Sequence, residues 1–381
     1  MRIAPNRRLR QRVVVLGGGY AGMMAALRLA PYAQVTLVDP SDRFCERVRI
    51  HELAAGRPDV TRPRARMLRG TGVTHLPARA TALDPAARAV HTATGRTLVY
   101  DRLVYALGSH TDRRGTGPGE TSGGLEAGGR VFTAENAAAL HERLLAGPGA
   151  LTVVGGGLTG IEMAAEVAES HPGWEVRLLT DGEVGAGLSG RGRAHVRTVL
   201  DRMGVRVEEG RRVAGADSVD ADAVVWTTAM AAAGGLARDA GLATDPATGR
   251  ILVDAALRSV SHPDIYAAGD AAAAHAPRAG ALRMACATAL PTGAHAAAAI
   301  AAEARGAAPG PLTFSFMVQC VSLGRHDGLI QSVRADDSPR ERVLTGRPAA
   351  RVKEGVVRSA VGLLRPAVRR PGALRLVPGI G

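Results

Sequence analysis

The sequence predicts an α/β fold with two parallel-sheet units and a smaller C-terminal segment. Residues 12–30 read RVVVLGGGYAGMMAALRLA, a β-branched run, a glycine turn and then apolar residues at helical spacing. Residues 150–169, ALTVVGGGLTGIEMAAEVAE, repeat this order of strand, turn and helix. The length of 381 residues suffices for two to three domains, so each copy is predicted to open its own unit.

The first glycine turn has the spacing G-x-G-x-x-G of a dinucleotide fingerprint. Its glycines are Gly17, Gly19 and Gly22. The first allows a tight turn, the second lets a pyrophosphate approach the backbone, and the third permits close helix packing. The phosphates are predicted at the helix N-terminus, beside Tyr20 and Ala21. A second strand, Gln34–Val38, precedes Asp39, whose carboxylate suits the two ribose hydroxyls.

The second turn has the same spacing and predicts a second bound nucleotide. Its glycines are Gly155, Gly157 and Gly160. Leu158 and Thr159 lie between them and are predicted to contact the phosphates.

The strand after the second turn, predicted at residues 176–180, has no clear acid at its tip. It ends with Thr180 and Asp181, and we predict Asp181 as the nucleotide contact. An acid here favours NADH, whereas Arg191 or Arg193 offers a cation for the 2′-phosphate of NADPH. The pattern favours NADH and leaves NADPH open.

Two other segments resemble the elements that complete a flavin domain. Residues 100–109, YDRLVYALGS, resemble the strand and glycine that re-enter such a domain, which predicts cofactor contacts at Ala106 and Gly108. Residues 263–273, PDIYAAGDAAA, resemble the later strand that ends in Gly-Asp. That resemblance places Gly269 and Asp270 at the ribityl chain and phosphate side of FAD.

In this order the four segments resemble the two-dinucleotide-binding flavoproteins of the pyridine nucleotide-disulfide oxidoreductase type. The disulfide reductases of that family carry a CxxxxC pair after the first ribose acid, whereas this chain has Cys45 alone there. The sequence is most similar to type II NADH dehydrogenases and apoptosis-inducing-factor-like NAD(P)H:quinone oxidoreductases. The similar stretches are GGGYAG, FxxRxRxHELAAG and FSFMVQCVSLGRHDGLIQ at 314–331.

The resemblance implies an FAD-dependent oxidoreductase that passes hydride from NAD(P)H to flavin and electrons to a quinone or other small aromatic acceptor. FAD and NADH are the implied cofactors, with NADPH as the alternative. The implied fold has two Rossmann-like dinucleotide-binding domains and a C-terminal interface segment. The predicted bounds are 1–130 and 246–312 for the FAD domain, 131–245 for the inserted NAD(P) domain, and 313–381 for the C-terminal segment.

Glu162 matches the acid that, in relatives, reaches the nicotinamide carboxamide and the flavin edge, and it is the predicted catalytic residue. The alternative is an ordinary acid near a helix N-terminus, favoured by the helix dipole. The resemblance also implies flavin contacts at four further positions. They are Arg49, Ala80, Ala287 and Thr288. His51 lies in the same early segment as Arg49 and is a further candidate for cofactor contact.

One departure bears on the acceptor. Type II dehydrogenases line the quinone slot with glutamines on the helix after Gly-Asp, but RMACATALPTGAH at 283–295 has none. Two alternative functions therefore stay open. The first is a flavoenzyme that oxidises a dedicated small biosynthetic molecule, and the second is an NADH-sensing, anion-binding flavoprotein with slow turnover.

The formal net charge of +13 comes almost entirely from the two ends of the chain, and Lys353 is the only lysine. The basic C-terminal stretch, 347–375, is expected either to lie on an anionic membrane surface or to pack on the protein or a partner subunit. We expect no membrane-spanning segment, no metal and no specific nucleic acid partner. The expected location is cytoplasmic, with peripheral attachment to the inner face of the cell membrane and a homodimer as open options.

Overall fold

The computed structural model describes residues 11–57, 60–112 and 129–364. The chain up to residue 112 forms short strands around a central parallel sheet. Its elements are β1 (Arg12–Leu16), α1 (Tyr20–Leu29), β2 (Gln34–Val38), β3 (Arg43–Cys45), α2 (Ile50–Ala54), β4 (Thr61–Pro63), α3 (Arg64–Leu68), β5 (Thr74–Leu76), β6 (Ala80–Asp84), β7 (Ala89–Thr92), β8 (Thr97–Val99), β9 (Arg102–Tyr105) and β10 (Ser109–Thr111).

The middle of the chain alternates strands and helices. Its elements are β11 (Val131–Phe132), α4 (Ala137–Leu145), β12 (Gly149–Val154), α5 (Leu158–Ser170), β13 (Trp174–Leu179), α6 (Gly190–Arg202), β14 (Arg206–Glu208), β15 (Ala223–Trp226), β16 (Met230–Ala232) and α7 (Gly235–Asp239). The predicted strand at 176–180 is therefore β13, shifted toward the N-terminus.

The remaining described residues return to the first sheet and then form a separate antiparallel sheet. Their elements are β17 (Ile251–Leu252), β18 (Ile265–Ala267), β19 (Ala272–Ala273), β20 (His275–Ala276), β21 (Gly280–Ala281), α8 (Cys286–Glu303), β22 (Val318–Leu323), β23 (Asp327–Val333), β24 (Pro339–Thr345) and α9 (Gly346–Gly362).

Two parallel five-stranded sheets organise the fold. The first has the order β18-β9-β1-β2-β5 and the second has the order β11-β15-β12-β13-β14. In each sheet the strand order switches from one side to the other beside the strand that precedes a glycine turn. The switch lies between β1 and β9 in the first sheet and between β12 and β15 in the second. Ligands of doubly wound sheets bind in the crevice at this switch point. The predicted α/β class is confirmed.

The return of β18 to the first sheet makes the first unit discontinuous. β18 pairs in parallel with β9, and α8 then packs along α1. One large apolar cluster contains residues of β1, α1, β9, β18 and α8. A second cluster lies around the second sheet and includes Ile50 and Ala54 from α2, so α2 packs on the second unit. The exact domain bounds stay a prediction.

The C-terminal helix α9 packs against the antiparallel sheet of β22, β23 and β24. Ala349, Val357 and Val361 are buried on its inner face, while Val352 and Val356 are each 44% exposed. Of the two alternatives for the basic stretch, the buried residues of α9 therefore support packing on the protein for the inner face of the helix. Residues 365–375 of the predicted basic stretch and residues 1–10 of the basic N-terminal end lie outside the described residues. Among the described residues, no helix is long and apolar enough to cross a membrane.

Helices α1 and α8 approach each other closely at Gly293. A Cβ atom at this position would lie 2.2 Å from the carbonyl oxygen of Ala21, which belongs to the rigid backbone of α1. The helices therefore need glycine here, although glycine lowers helix propensity.

We predict that Gly293→Ala lowers the free energy of unfolding by about 1–3 kcal/mol, because the two helices must move apart. Gly355→Ala is the matched control, since Gly355 also lies inside a helix, but in the described chain nothing beyond its neighbours in that helix lies within 4 Å of its Cβ position. It should raise stability by roughly 0.5–1 kcal/mol through helix propensity. Urea unfolding of the flavin-loaded proteins measures both, and an equal effect of the two changes would contradict the packing argument.

Candidate functional site

The first glycine turn has the geometry of a phosphate-binding loop. Gly17 has φ +93°, and its N–H donates to the Val38 carbonyl at 2.9 Å. A Cβ at Gly17 would lie 2.3 Å from the Ala106 oxygen, and one at Gly22 would lie 1.8 Å from the Gly17 oxygen. Gly19, in contrast, has open space at its Cβ position, since no described residue other than its chain neighbours lies within 4 Å. The outer glycines are needed for packing, and the middle one leaves room for a ligand.

The second turn repeats this division. Gly155 has φ +121°, and a Cβ at Gly160 would lie 1.9 Å from the Gly155 oxygen. Gly157 again has open space beside it. Helix α5 begins directly after Gly157, with Leu158 and Thr159 in its first turn. Both loops therefore fit a pyrophosphate at a helix N-terminus.

Asp39 is held by an arginine that the sequence did not indicate. Its Oδ2 accepts the Gly18 N–H at 2.7 Å, and its Oδ1 accepts the Ser41 N–H at 2.9 Å and Arg64 Nη2 at 3.0 Å. Arg64 is only 2% exposed and also donates from Nη1 to the Gly18 carbonyl at 2.7 Å. Arg64 thus fixes both the acid and the glycine turn. Arg64 lies 25 residues after Asp39, so no local sequence pattern predicts their contact.

The Gly-Asp segment provides an unsatisfied acceptor. Asp270 Oδ2 accepts from the Ser109 hydroxyl at 2.6 Å, but its buried Oδ1 has no hydrogen-bond partner among the described residues. Gly269 has φ +66°, and its N–H donates to Thr292 Oγ1 at 2.9 Å. A buried carboxylate oxygen without a partner is costly, so it fits a ligand hydroxyl such as those of the ribityl chain of FAD.

The remaining predicted flavin contacts lie on three different elements. Ala287 and Thr288 lie in the first turn of α8, whose N-terminus has no side-chain cap. Gly108 follows β9 with φ +72°, beside Ser109. Ala80 is half-buried at the start of β6. Their contacts with the cofactor stay predictions.

Tyr20 and Ala21 begin α1 and are buried. The Tyr20 ring meets Phe44 edge-on, with centroids 5.1 Å apart. The Tyr20 hydroxyl is a second buried group without a hydrogen-bond partner in the described chain, and burial raises its pKa far above the usual value. The hydroxyl therefore stays protonated and is available as a donor.

Glu162 forms a buried ion pair that the sequence did not reveal. Its Oε1 accepts from Lys353 Nζ at 2.6 Å and from the Ser322 N–H at 2.9 Å. Lys353 also donates to the Cys320 carbonyl at 3.1 Å. The side chains of Glu162 and Lys353 are 12% and 13% exposed. Burial acts to raise the pKa of Glu162, but the Lys353 ammonium and the other polar groups around the carboxylate together hold this pKa below its usual value.

His51 lies beside this pair and is fully enclosed. Its Nδ1 is 3.9 Å from Glu162 Oε2, and its Nε2 is 4.0 Å from Glu52 Oε1 with no hydrogen-bond partner in the described residues. Burial lowers the pKa of His51 despite the nearby carboxylates. His51 is therefore neutral at physiological pH and lies between Glu162 and Glu52 without a hydrogen bond to either.

Arg49 is engaged by protein carboxylates. Its guanidinium contacts Glu52 and Glu354, each at 3.0 Å, and its side chain is 14% exposed. It lines a cleft of about 710 Å³ that also includes Lys353 and Arg325. Arg49 and Lys353 thus line the same cleft. The predicted contact of Arg49 with the flavin stays a prediction.

The two units differ at the ribose-binding position. Thr180 in the second unit is the structural counterpart of Asp39, because each follows its strand directly and donates its N–H to the next strand, at 3.0 Å to Glu208 and 3.2 Å to Leu76. Asp181 follows one residue later, and its side chain is 66% exposed. No carboxylate thus occupies the position that Asp39 has in the first unit.

Comparison with known proteins identifies the family. Residues 11–301 match the model of the pyridine nucleotide-disulphide oxidoreductase family. The chain belongs to this family. A similar protein is the NADH dehydrogenase-like protein of Mycobacterium tuberculosis (strain CDC 1551 / Oshkosh), 33% identical over 304 residues that cover 69% of this chain and 73% of the relative. Demethylphylloquinone reductase of Synechocystis is 26% identical over 299 residues, covering 69% and 72%.

Solved structures show the same fold at low sequence identity. The sulfide:quinone oxidoreductase of Aquifex aeolicus has a TM-score of 0.76 at 18% identity and covers 94% of this chain and 93% of its own. NDH2 of Plasmodium falciparum, solved with NADH, has a TM-score of 0.75 at 13% identity and covers 94% and 100%.

These findings confirm the predicted family, enzyme class and cofactors. The protein is an NAD(P)H-dependent flavoprotein oxidoreductase of the two-dinucleotide-binding fold, with FAD and NADH as its nucleotides. The two open loops and the unsatisfied Asp270 oxygen fit these groups. The individual contacts stay predictions.

We predict that Thr180→Glu raises the ratio of kcat/KM for NADH to that for NADPH at least tenfold, because a carboxylate at this position repels a 2′-phosphate. Steady-state kinetics with both nucleotides measures the ratio. Asp181→Asn is the control for the neighbouring exposed acid. A ratio that responds to Asp181→Asn and not to Thr180→Glu would contradict the assignment of Thr180.

We predict that Lys353→Met lowers the free energy of unfolding by about 3 kcal/mol at neutral pH, because it leaves Glu162 buried without its cation. The Glu162 pKa is lowered in the folded protein, so its contribution is present above the unfolded pKa and is lost as pH falls through the folded value. Without Lys353 this pKa rises, and the penalty shrinks as Glu162 becomes protonated.

Urea unfolding at neutral and acidic pH tests this prediction. Glu162→Gln combined with Lys353→Met should recover part of the lost stability, since no buried charge is left unpaired. Arg342→Gln, an exposed change on β24, is the control. A penalty that does not depend on pH would mean that lost packing, rather than an unpaired charge, causes the destabilisation.

Proposed function

We propose that this protein transfers two electrons from NADH, by way of its flavin, to a quinone or a similar small aromatic acceptor. The overall reaction balances as NADH, one proton and a quinone giving NAD⁺ and a quinol. FAD supplies the chemistry that accepts hydride and passes on electrons. The protein has to bind and orient both nucleotides and to provide the second proton.

The observation that carries the proposal is the buried pair of Glu162 and Lys353. Glu162 comes from the first turns of α5, directly after the second glycine loop, and Lys353 comes from α9. Glu162 therefore lies where a nicotinamide bound on that loop is expected to extend. The curated relatives named as an NADH dehydrogenase-like protein and a demethylphylloquinone reductase support the same function.

Lys353 is the group suited to assist acceptor reduction. Burial acts to lower its pKa, but Glu162 outweighs it and raises this pKa above the usual value, so the amine stays protonated. A fixed ammonium stabilises the negative charge that develops on an acceptor oxygen, and it holds a proton that this oxygen can receive. Glu162 orients Lys353 through their 2.6 Å hydrogen bond, and the neutral His51 lies 3.9 Å from Glu162.

The glutamines of the C-terminal segment do not replace the missing quinone-slot pair. Gln331 is fully buried, accepts the Ser189 N–H at 2.7 Å and donates to Gln319 at 3.4 Å. Both side chains are engaged in joining β22, β23 and the start of α6. The acceptor is therefore expected to meet charged groups around Lys353 instead.

We predict that NADH bleaches the flavin absorbance anaerobically and that 1,4-naphthoquinone restores it. In Lys353→Met the recovery should slow at least tenfold more than the bleaching does, because the proton and the charge stabilisation for the acceptor are lost. Lys353→Arg should restore part of the recovery rate by keeping the cation. Stopped-flow absorbance separates the two half-reactions, and Arg342→Gln is the matched control.

A wild-type flavin that NADH reduces but no quinone reoxidises would contradict the quinone proposal and favour a dedicated small-molecule acceptor. A long-lived charge-transfer absorbance after mixing with NADH would instead favour the slow sensing function. Equal slowing of both half-reactions in Lys353→Met would assign the ion pair a structural role.

A further inference from the structure

The cleft of about 710 Å³ beside Lys353 has a strongly cationic wall. It opens between α2, the turn after β22, and α9. Six of its cationic side chains bear on its chemistry. They are Arg49, Arg325 and Lys353 together with Arg347, Arg351 and Arg358. The acids that line the cleft are Glu52 and Glu354. Cations thus outnumber acids on the lining, and the cleft suits a negatively charged ligand.

Most of these cations are already neutralised by protein carboxylates. Arg325 pairs with the buried Glu166 at 2.7 Å and with Glu52 at 3.3 Å. Glu354 accepts from both Arg49 and Arg358, at 3.0 Å and 2.6 Å. Arg57, which also lines the cleft, contacts Glu166 at 3.3 Å, and Lys353 is paired with Glu162. Each of these five cations therefore has a carboxylate partner, although some carboxylates are shared.

Arg347 and Arg351 are different. They lie four residues apart on α9, so they project from the same face of the helix. Both are exposed, and within the described residues neither has a carboxylate within ion-pair distance. Lys353 lies on the inner face of the same helix, where its ammonium meets Glu162. The cleft therefore has an unpaired cationic rim and a proton-bearing inner end.

This lining is unfavourable for a neutral, long-chain quinone. Pockets for apolar ligands are lined mainly by apolar and aromatic side chains, and an apolar ligand here would desolvate arginines without pairing them. A carboxylate offers two oxygens in the geometry of a guanidinium. An aromatic acid of modest size would place its carboxylate at the rim and its ring toward Lys353.

We propose that the cleft binds a soluble aromatic acid, and that the electron acceptor is such a molecule, held through its carboxylate by Arg347 and Arg351. The second part rests on the proposed function, because it takes the acceptor to be reduced beside Lys353. The electron balance is unchanged: the quinone ring of the acid takes up two electrons and two protons, and the carboxylate does not react.

Isothermal titration calorimetry of the flavin-loaded protein tests the binding. The probes are 2-naphthoate and its neutral counterpart 2-naphthamide, neither of which is reduced. The wild type should bind 2-naphthoate at least tenfold more tightly, and this preference should weaken with added salt. Arg347→Gln with Arg351→Gln should abolish it. Arg340→Gln with Arg342→Gln removes the same charge from exposed positions on β24 outside the cleft and should retain it.

Reduction kinetics tests the acceptor class. The ratio of kcat/KM for 2-carboxy-1,4-naphthoquinone to that for 1,4-naphthoquinone should fall about tenfold in the Arg347 and Arg351 double variant and stay constant in the β24 control. If the quinones are not reduced while 2-naphthoate still binds through these arginines, the proposed function fails and the anion site stands.

Two outcomes would overturn the anion site itself. One is equal binding of 2-naphthoate and 2-naphthamide, or a preference that survives loss of both arginines. The other is arginine-dependent binding of phosphatidylglycerol vesicles without binding of 2-naphthoate, which would assign the rim to a lipid headgroup.

Discussion

The ion pair between Glu162 and Lys353 joins the parts of the molecule on which its chemistry depends. Glu162 belongs to the helix after the second glycine loop, Lys353 belongs to the C-terminal helix, and both contact the backbone of β22. Two buried charges are tolerated only when each satisfies the other, so the pair fixes the distance between α5 and α9. The cleft, the neutral His51 and the carboxylates that contact Arg49 lie around this ion pair.

The two glycine turns that fit the two nucleotides have the same backbone geometry. In both units the outer glycines are enforced by close backbone contacts, while Gly19 and Gly157 leave open space. The difference lies at the end of the following strand, where Asp39 is supported by Arg64 and its counterpart is Thr180. Steric constraints therefore give both loops the same geometry, and the two units differ at the side chain predicted to meet the ribose.

Charge is distributed so that the inner part of the site is balanced and the rim is not. Glu52, Glu166 and Glu354 neutralise the arginines nearest the pair, whereas Arg347 and Arg351 lie at the entrance without such partners in the described chain. Desolvation makes unpaired charge costly inside, but not at a solvent-facing rim. The proposed anionic acceptor gains its attraction at the rim and meets the ammonium of Lys353 within.

The sequence by itself determined the features whose physical causes are local. The glycine spacing, the β2 bounds at Gln34–Val38 and the acid at Asp39 follow from steric rules acting over a few residues, and the order of four such segments identified the family and its cofactors. The tertiary structure alone decided the partners of these residues. Arg64 on Asp39, Ser109 on Asp270 and Lys353 on Glu162 meet across 25, 161 and 191 positions. No periodicity spans such separations, because the contacts arise only when the sheets and helices pack.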